Sequence, residues 1–163
     1  MLISVSSGSG TWYYVPTYYT GPTCDGSPLS NFIAANDYAT GYPSCASYIP
    51  GPNQLTMTQL NSSNVIAIGQ LASTPSQATR MAYCGKQVIV TVNGVQVAAP
   101  DGGNFFVWDG CEACATNYNF NNIDFSLPGL GAVAGSDASA CQQGKVPNVS
   151  FQVTNVQVKA FVP

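Results

Sequence analysis

The sequence predicts an all-β fold, and three observations lead to this prediction. Gly, Pro, Ser and Asn recur every few residues along the 163-residue chain, and no long stretch carries apolar residues at the spacing of an amphipathic helix. Short runs rich in β-branched and aromatic residues alternate with these turn residues. Finally, two of the runs are separated by Asn93-Gly94, the dipeptide that most favours a tight hairpin turn.

The strands are predicted from the composition and periodicity of each run. The dipeptide Asn93-Gly94 should join Lys86–Val92 to Val95–Ala99 as an antiparallel hairpin, since both turn residues tolerate positive φ. The full set of predicted strands is 11–15, 65–68, 87–92, 95–97, 104–108 and 149–158.

The last predicted strand changes phase part-way along its length. Phe151 and Val153 share one face, whereas Val156 and Val158 follow a slip at Thr154-Asn155. A strand that alternates with a period of two can change phase in this way only through an irregularity. The pattern therefore predicts a bulge or bend, as at the corner of a barrel.

Two short helices are predicted, and the rest of the chain forms a single domain. They are 30–36, with Ser30 as N-cap, and 127–134, which Pro128 would start. The proline-rich, turn-rich segment of residues 16–60 is interpreted as a long insertion pinned by Cys24 and Cys45. A chain of 163 residues buries roughly 70% of its unfolded surface, which is enough for one core, so we expect one domain over residues 1–163.

The scarcity of charge excludes several kinds of chemistry. The chain has 4 Lys and Arg, 7 Asp and Glu and no His, so only 7% of it is charged. Without histidine there is no Ser-His-Asp triad, no imidazole base and no His-ligated zinc. The cations Arg80, Lys86, Lys145 and Lys159 are scattered and form no basic stripe, so no nucleic acid partner is expected. No apolar run approaches the roughly 18 residues of a membrane span, and no membrane partner is expected either.

Six cysteines predict three disulfides and a secreted, extracellular chain. An even number of cysteines in a chain poor in charge and rich in turns is typical of an oxidising compartment. The sequence leaves their pairing open. Zinc is the alternative for Cys111-Glu-Ala-Cys114, but a second such motif is missing, and we predict no metal and no cofactor. The six are Cys24, Cys45, Cys84, Cys111, Cys114 and Cys141.

Two sequons, at Asn61 and Asn148, predict N-glycosylation sites if the source is eukaryotic. The motif is short and arises easily in a chain rich in serine and asparagine.

Six motifs in a fixed order carry a resemblance to a known family. They are Gly8-Ser-Gly-Thr11-Trp-Tyr-Tyr14, Asn61-Ser-Ser-Asn-Val-Ile-Ala-Ile68, Cys84-Gly-Lys-Gln-Val-Ile-Val-Thr-Val92, Val107-Trp-Asp-Gly-Cys-Glu-Ala-Cys114, Asn122-Ile-Asp-Phe-Ser126 and Gly144-Lys-Val-Pro-Asn-Val-Ser-Phe151. Together they resemble the six-stranded double-psi β-barrel of expansins, fungal loosenins and RlpA-like proteins, which are related to barwin. The segment from about residue 15 to residue 60 is longer than in the minimal members. The resemblance implies a single-domain form, without the carbohydrate-binding domain of full expansins.

The resemblance implies a shallow groove that contains Thr11, Asp109 and Asp124, with Asp124 as candidate general acid. The residues agree that both aspartates are unusual, because each is embedded in an apolar run. Burial of a carboxyl disfavours its ionised form, which is how a general acid stays protonated near neutral pH. The structural alternatives are that Asp124 caps the helix after Ser126 and that Asp109 accepts hydrogen bonds from turn amides.

The aromatic residues near the first strand predict a surface for sugar rings. Trp12 and Tyr14 are assigned with Thr11 to substrate binding, because sugars present apolar faces that stack on indole and phenol rings. Alternation along a strand places Tyr13 on the opposite face, and core packing is the alternative for the whole set. Trp108 is predicted to lie in the core, and Glu112 is interpreted as a solvated turn residue.

These observations predict a secreted, expansin-like or loosenin-like protein that binds cell-wall polysaccharide and loosens it without appreciable hydrolysis. Inversion requires a base opposite the acid, and residues 11–20, where related endoglucanases carry that base, contain no carboxylate. The expected partner is glucan, cellulose or chitin, bound by a monomer. The alternatives are a protein-binding module, such as a cysteine-protease inhibitor or a defence or effector protein, and a weak endoglucanase or lytic glycosidase.

Overall fold

The computed structural model describes residues 1–15, Cys24, 42–46 and 55–162. The predicted helix at 30–36 and most of the 16–60 insertion lie outside these residues. The elements in the described part of the chain are β1 (Ile3–Tyr14), α1 (Met57–Leu60), β2 (Val65–Ile68), a 3₁₀ turn (Gly69–Leu71), α2 (Gln77–Tyr83), β3 (Lys86–Val92), β4 (Val95–Gln96), β5 (Phe105–Gly110), α3 (Glu112–Thr116), β6 (Asn122–Ser126), α4 (Leu127–Ala134), α5 (Asp137–Gln143) and β7 (Lys145–Gln157).

Six strands close into a barrel in the order β1, β6, β2, β5, β3 and β7. The barrel closes because β7 pairs with β3 on one side and with β1 on the other. The pairs β1/β6 and β2/β5 are parallel, and the other four are antiparallel. The short β4 extends β3 outside the ring. The predicted mostly-β fold, with six barrel strands and short helices, is confirmed.

Local signals in the sequence correctly predicted the β3–β4 hairpin. Asn93 and Gly94 have φ values of 51° and 79°, the left-handed conformation that a type I′ turn requires at both positions. Val92 pairs with Val95 across the turn, and the second strand ends at Gln96, before the predicted Ala99.

The phase change predicted in the last strand is also a real irregularity. Lys86 pairs with Gln157 and Val88 with Val153, so β7 carries extra residues between these two positions. Val153 is buried beside β3, whereas Val156 is 56% exposed beyond the bulge.

Helix α4 begins where Pro128 predicted it, and its cap is Ser126. The Ser126 hydroxyl accepts a hydrogen bond from the Gly129 amide at 3.0 Å and donates one to the Ser63 carbonyl at 2.6 Å. The helix ends at Gly135, whose φ of 93° suits a residue without a side chain. Asp124 is therefore not the cap of this helix, and that alternative is wrong.

The first strand is longer than the sequence predicted. It begins at Ile3, although residues 4–10 are mostly serine and glycine and have little intrinsic strand propensity. Pairing with both β6 and β7 holds this stretch in the sheet. Tertiary contacts therefore override local propensity here.

The core is aromatic and contains the predicted Trp108, which is fully buried. Phe105 and Phe125 meet edge to face with their ring centroids 5.6 Å apart, and Phe106 packs edge to face against Trp108. No helix in the described ranges has the length and apolar character needed to cross a membrane.

Three disulfides cross-link the described cysteines. Cys24 is joined to Cys141 in α5, Cys45 to Cys84 at the end of α2, and Cys111 to Cys114. The first two tie the insertion to the barrel, as expected of Cys24 and Cys45. Three disulfides fit an extracellular protein.

Gly8 is predicted to be intolerant of any side chain, because a Cβ at this position would collide with the backbone carbonyl of Asn121 beside β1. We expect Gly8→Ala to lower the free energy of unfolding by about 1–3 kcal/mol, the usual cost of forcing atoms into packed structure. Chemical denaturation measures the change. Ser7→Ala, at an exposed neighbouring position, is the control, and equal stability of the two variants would contradict the prediction.

Candidate functional site

The strand register brings Asp109 and Asp124 to one site. Asp124 on β6 is in register with Thr11 on β1 and with Ala67 on β2, and Ala67 is in register with Asp109 on β5. Residues at matching positions on neighbouring strands share a face, and neighbouring strands lie about 4.8 Å apart. The two aspartates therefore flank Ala67 across two strand spacings, and the methyl group of Ala67 leaves room between them.

The two aspartates line a cleft of about 410 Å³. Strands β1, β5 and β6 and the segment of residues 42–44 all contribute residues to its lining. Its polar and aromatic lining includes Tyr13, Tyr42, Ser44, Asp109, Glu112 and Asp124. We refer to it below as the cleft.

Asp124 is held by a chain of hydrogen bonds on its own face of the sheet. The Thr11 hydroxyl donates to Oδ1 of Asp124, and the Asn122 amide donates to Thr11 Oγ1 at 2.9 Å. Ser9 in turn donates to Oδ1 of Asn122 at 2.6 Å. The other carboxyl oxygen, Oδ2, lies 3.1 Å from Sγ of Cys111.

Burial raises the pKa of Asp124 to about 6. The hydrogen bonds from Thr11 and Asn122 lower the pKa, but their effect is smaller than that of burial. Its contact with Cys111 agrees with a protonated carboxyl, since a disulfide sulfur carries no hydrogen and can only accept.

The pKa of Asp109 is also raised, although its carboxyl makes a different set of contacts. Its Oδ1 accepts hydrogen bonds from the backbone amides of Ser44 at 2.8 Å and of Gly110 at 2.7 Å. Desolvation by burial is the largest effect and raises the pKa to about 6, the amides oppose it, and the nearby charge of Asp124 raises it further. Asp109 thus accepts hydrogen bonds from backbone amides, which was the structural role considered for it from the sequence. It also lines the cleft.

The structure does not bring Trp12 and Tyr14 to the cleft. Both side chains are only 4% exposed and pack in the core, and the Tyr14 hydroxyl donates to the Met57 carbonyl at 3.2 Å. Buried rings have no face to offer a sugar, so their assignment to substrate binding is corrected. The cleft is lined by Tyr13 between them.

Three further residues of the site were not assigned to it from the sequence: Asn122, which donates a hydrogen bond to Asp124, and Glu112 and Tyr42, which line the cleft. Asn122 lies two positions before Asp124 on the same strand, so the period of two placed it on the same face and was the signal for it. Glu112, interpreted as a turn residue, begins α3 and accepts a hydrogen bond from the Ser73 hydroxyl at 2.8 Å. Tyr42 gave no local signal.

Cys111, Cys114 and Asp124 place ligand-type atoms within 4.8 Å of one another. The two sulfurs are bonded to each other, and a disulfide offers no thiolate to a metal. Only the Asp124 carboxylate is then left as a ligand in this cluster.

Both sequon asparagines, Asn61 and Asn148, are exposed, and their glycosylation stays a prediction.

Comparison of the chain with protein-family models, with curated proteins and with solved structures finds no match.

The two raised pKa values predict that stability depends on pH. Since the folded pKa of each carboxyl is about 6 and its ordinary value is 3.8, the folded state takes up protons between these values. Their contribution to stability is fully present below about pH 4 and is lost as the pH rises through about 6. We expect the free energy of unfolding to fall over this range by on the order of 1–3 kcal/mol per carboxyl.

Chemical denaturation at several pH values measures this slope. Asp124→Asn should remove the contribution of Asp124 to the pH dependence of the unfolding free energy. Asp137→Asn on α5 should keep the slope of the unmodified chain. An unchanged slope in Asp124→Asn would show that this carboxyl does not titrate as described.

Proposed function

We propose that the chain is a secreted, expansin-like or loosenin-like double-psi β-barrel that binds cell-wall polysaccharide in the cleft and loosens it without appreciable hydrolysis. One observation carries the proposal. Thr11, Asp109 and Asp124, which the resemblance assigns to one groove, come from three distant segments and lie in register across neighbouring strands. The two aspartates line one cleft, and Thr11 donates a hydrogen bond to Asp124.

The barrel topology gives further support to the double-psi assignment. Six strands close in a ring that contains two parallel pairs, β1/β6 and β2/β5, and both pairs meet at β2 and β6. The six motifs that carry the resemblance each overlap one of these six strands.

The chemistry of the cleft suits an uncharged polymer of hydroxyls. Protonated carboxyls both donate and accept hydrogen bonds, as sugar hydroxyls do. The ring of Tyr42, which is 52% exposed, adds apolar surface with a polar edge. A glucan bound by such groups exchanges hydrogen bonds to its neighbouring chains for hydrogen bonds to the protein, which weakens the packing of the polymer.

The same electrostatics explain why hydrolysis is not expected. An inverting glycosidase needs one carboxyl protonated and the other ionised, which requires environments that separate their pKa values. Here burial moves the pKa of Asp109 and of Asp124 in the same direction, to about 6. Neither is held as a dedicated base while the other serves as the acid.

The proposal predicts that the protein is retained on at least one of insoluble cellulose, chitin and fungal wall glucan in a pull-down assay. Asp124→Ala should weaken retention about tenfold, a loss of about 1.4 kcal/mol of binding free energy, because it removes a carboxyl that faces the sugar. Asp137→Asn, a carboxyl on α5, should bind as the unmodified protein does.

Retention on none of the three polymers would overturn the proposal. Steady release of reducing ends that Asp124→Asn abolishes would instead make the protein a glycosidase. Stoichiometric inhibition of a papain-type protease that survives Asp124→Ala would favour the protein-binding alternative.

A further inference from the structure

The disulfide between Cys111 and Cys114 forms part of the cleft wall. Cys111 lines the cleft, although only 2% of it is exposed, whereas Cys114 is completely buried and is not part of the lining. Of the two cysteines, Cys111 is therefore the one that borders the space that a small molecule could enter.

This disulfide contributes less to holding the fold together than the other two do. It joins residues separated by 3 positions, whereas the other two join residues separated by 39 and 117 positions. A cross-link that closes a short loop removes the least entropy from the unfolded chain. The barrel therefore depends little on whether this bond is closed.

Cys111 has a carboxyl and an amide as polar neighbours, and Cys114 has an amide. Oδ2 of Asp124 lies 3.1 Å from Sγ of Cys111. The Cys114 amide donates to Sγ of Cys111 at 3.0 Å, and the Asn122 side-chain amide lies 3.5 Å from Sγ of Cys114. Donors of this kind stabilise a thiolate relative to a thiol.

We propose that Cys111 and Cys114 are a redox-active pair that exchanges electrons with the thiols or disulfide of a second molecule in the cleft, with Asp124 as the proton acceptor for Cys111. The spacing Cys-x-x-Cys is the one that general thiol–disulfide chemistry uses, because both sulfurs reach each other without moving the backbone. The proposal is independent of polysaccharide binding.

The exchange balances in atoms and electrons. In the reduced form, Cys111 gives its proton to Asp124, and its thiolate attacks one sulfur of the partner disulfide, breaks that bond and releases the first partner thiolate. Cys114 then loses its proton and attacks Sγ of Cys111, which closes the Cys111–Cys114 bond and releases the second partner thiolate. The two protons end on the partner thiols, and two electrons pass from the cysteine pair to the partner. The reverse sequence oxidises a partner dithiol.

Asp124 is suited to this step by position and by its burial. It contacts the attacking sulfur directly, and burial raises its pKa, to about 6 while the disulfide is closed, which makes it a better proton acceptor than an exposed carboxyl. Among the described residues, the other titratable groups that line the cleft are Tyr13 on β1, Tyr42, Asp109 on β5 and Glu112 on α3.

The charge of the cleft indicates which partners react fastest. Asp109, Glu112 and Asp124 line it, and no lysine or arginine is found among the described residues of its lining. A cationic or neutral thiol compound is therefore favoured over an anionic one. Cystamine, which is cationic, and oxidised glutathione, which is anionic, are matched probes of this preference.

Single-cysteine variants test the asymmetry of the pair. In Cys114→Ser the remaining Cys111 thiol should react with cystamine at least about tenfold faster than the Cys114 thiol that remains in Cys111→Ser, because access and the contact with Asp124 belong to Cys111. Mass spectrometry identifies the mixed disulfide. Equal rates, or a faster Cys114, would overturn the proposal.

The unmodified protein provides a second test that does not depend on the folding of the variants. Mild dithiothreitol under native conditions should expose two alkylatable thiols, mapped to Cys111 and Cys114, while the other two disulfides stay closed. The proposal would be contradicted if all three disulfides opened together, or if the Cys111–Cys114 disulfide resisted reduction.

Asp124→Asn separates the chemical role of the carboxyl from a structural one. In the Cys114→Ser background, we expect it to slow the reaction with cystamine about tenfold at neutral pH. The rise of rate with pH should also move toward the ordinary cysteine value of about 8.5. Asp137→Asn is the control that keeps the original profile, and an unmoved profile in Asp124→Asn would refute the role of Asp124.

Discussion

Strand β2 is only four residues long, yet its pairing on both sides fixes the positions of the acidic groups. It runs parallel to β5 and antiparallel to β6, so the central Ala67 is in register with Asp109 on one side and Asp124 on the other. Because every strand of a closed barrel is hydrogen-bonded on two sides, a shift of one residue in β2 would turn its side chains to the opposite face and break both registers. The separation of the two carboxyls follows from this pairing and from the small side chain between them.

Burial of the two carboxyls is the second constraint, and it determines the chemistry of the cleft. A buried carboxylate without a cation is unfavourable, and no lysine or arginine of the described residues lines the cleft. Hydrogen bonds stabilise both carboxylates instead. Two backbone amides donate to Asp109, and Thr11 and Asn122 donate to Asp124. These bonds only partly offset desolvation, so both carboxyls take up protons more readily than exposed ones. The result is that these two carboxyls are largely uncharged in mildly acidic surroundings.

Asp124 connects two regions that the sequence keeps apart. Its Oδ1 belongs to the network of Thr11 and Asn122, and its Oδ2 contacts Cys111. The state of the disulfide therefore bears on the proton affinity of the cleft, since a thiolate at Cys111 would place a negative charge beside the carboxyl and raise its pKa further. Polysaccharide binding and thiol exchange would then share one titrating group.

The sequence by itself determined the features that depend on neighbouring residues. The turn at Asn93-Gly94, the helix that begins after Ser126, the bulge in β7 and the buried run around Trp108 were all predicted, because backbone conformation and side-chain alternation are local properties. The sequence also identified Asp109 and Asp124 as unusual from their apolar surroundings. Only the tertiary structure decided the strand status of residues 3–10, the pairing of the cysteines, the burial of Trp12 and Tyr14 and the presence of Tyr42 in the cleft. Each of these depends on contacts between segments far apart in the chain, such as the register of Thr11 with Asp124, and no local pattern encodes which distant segment a strand will meet.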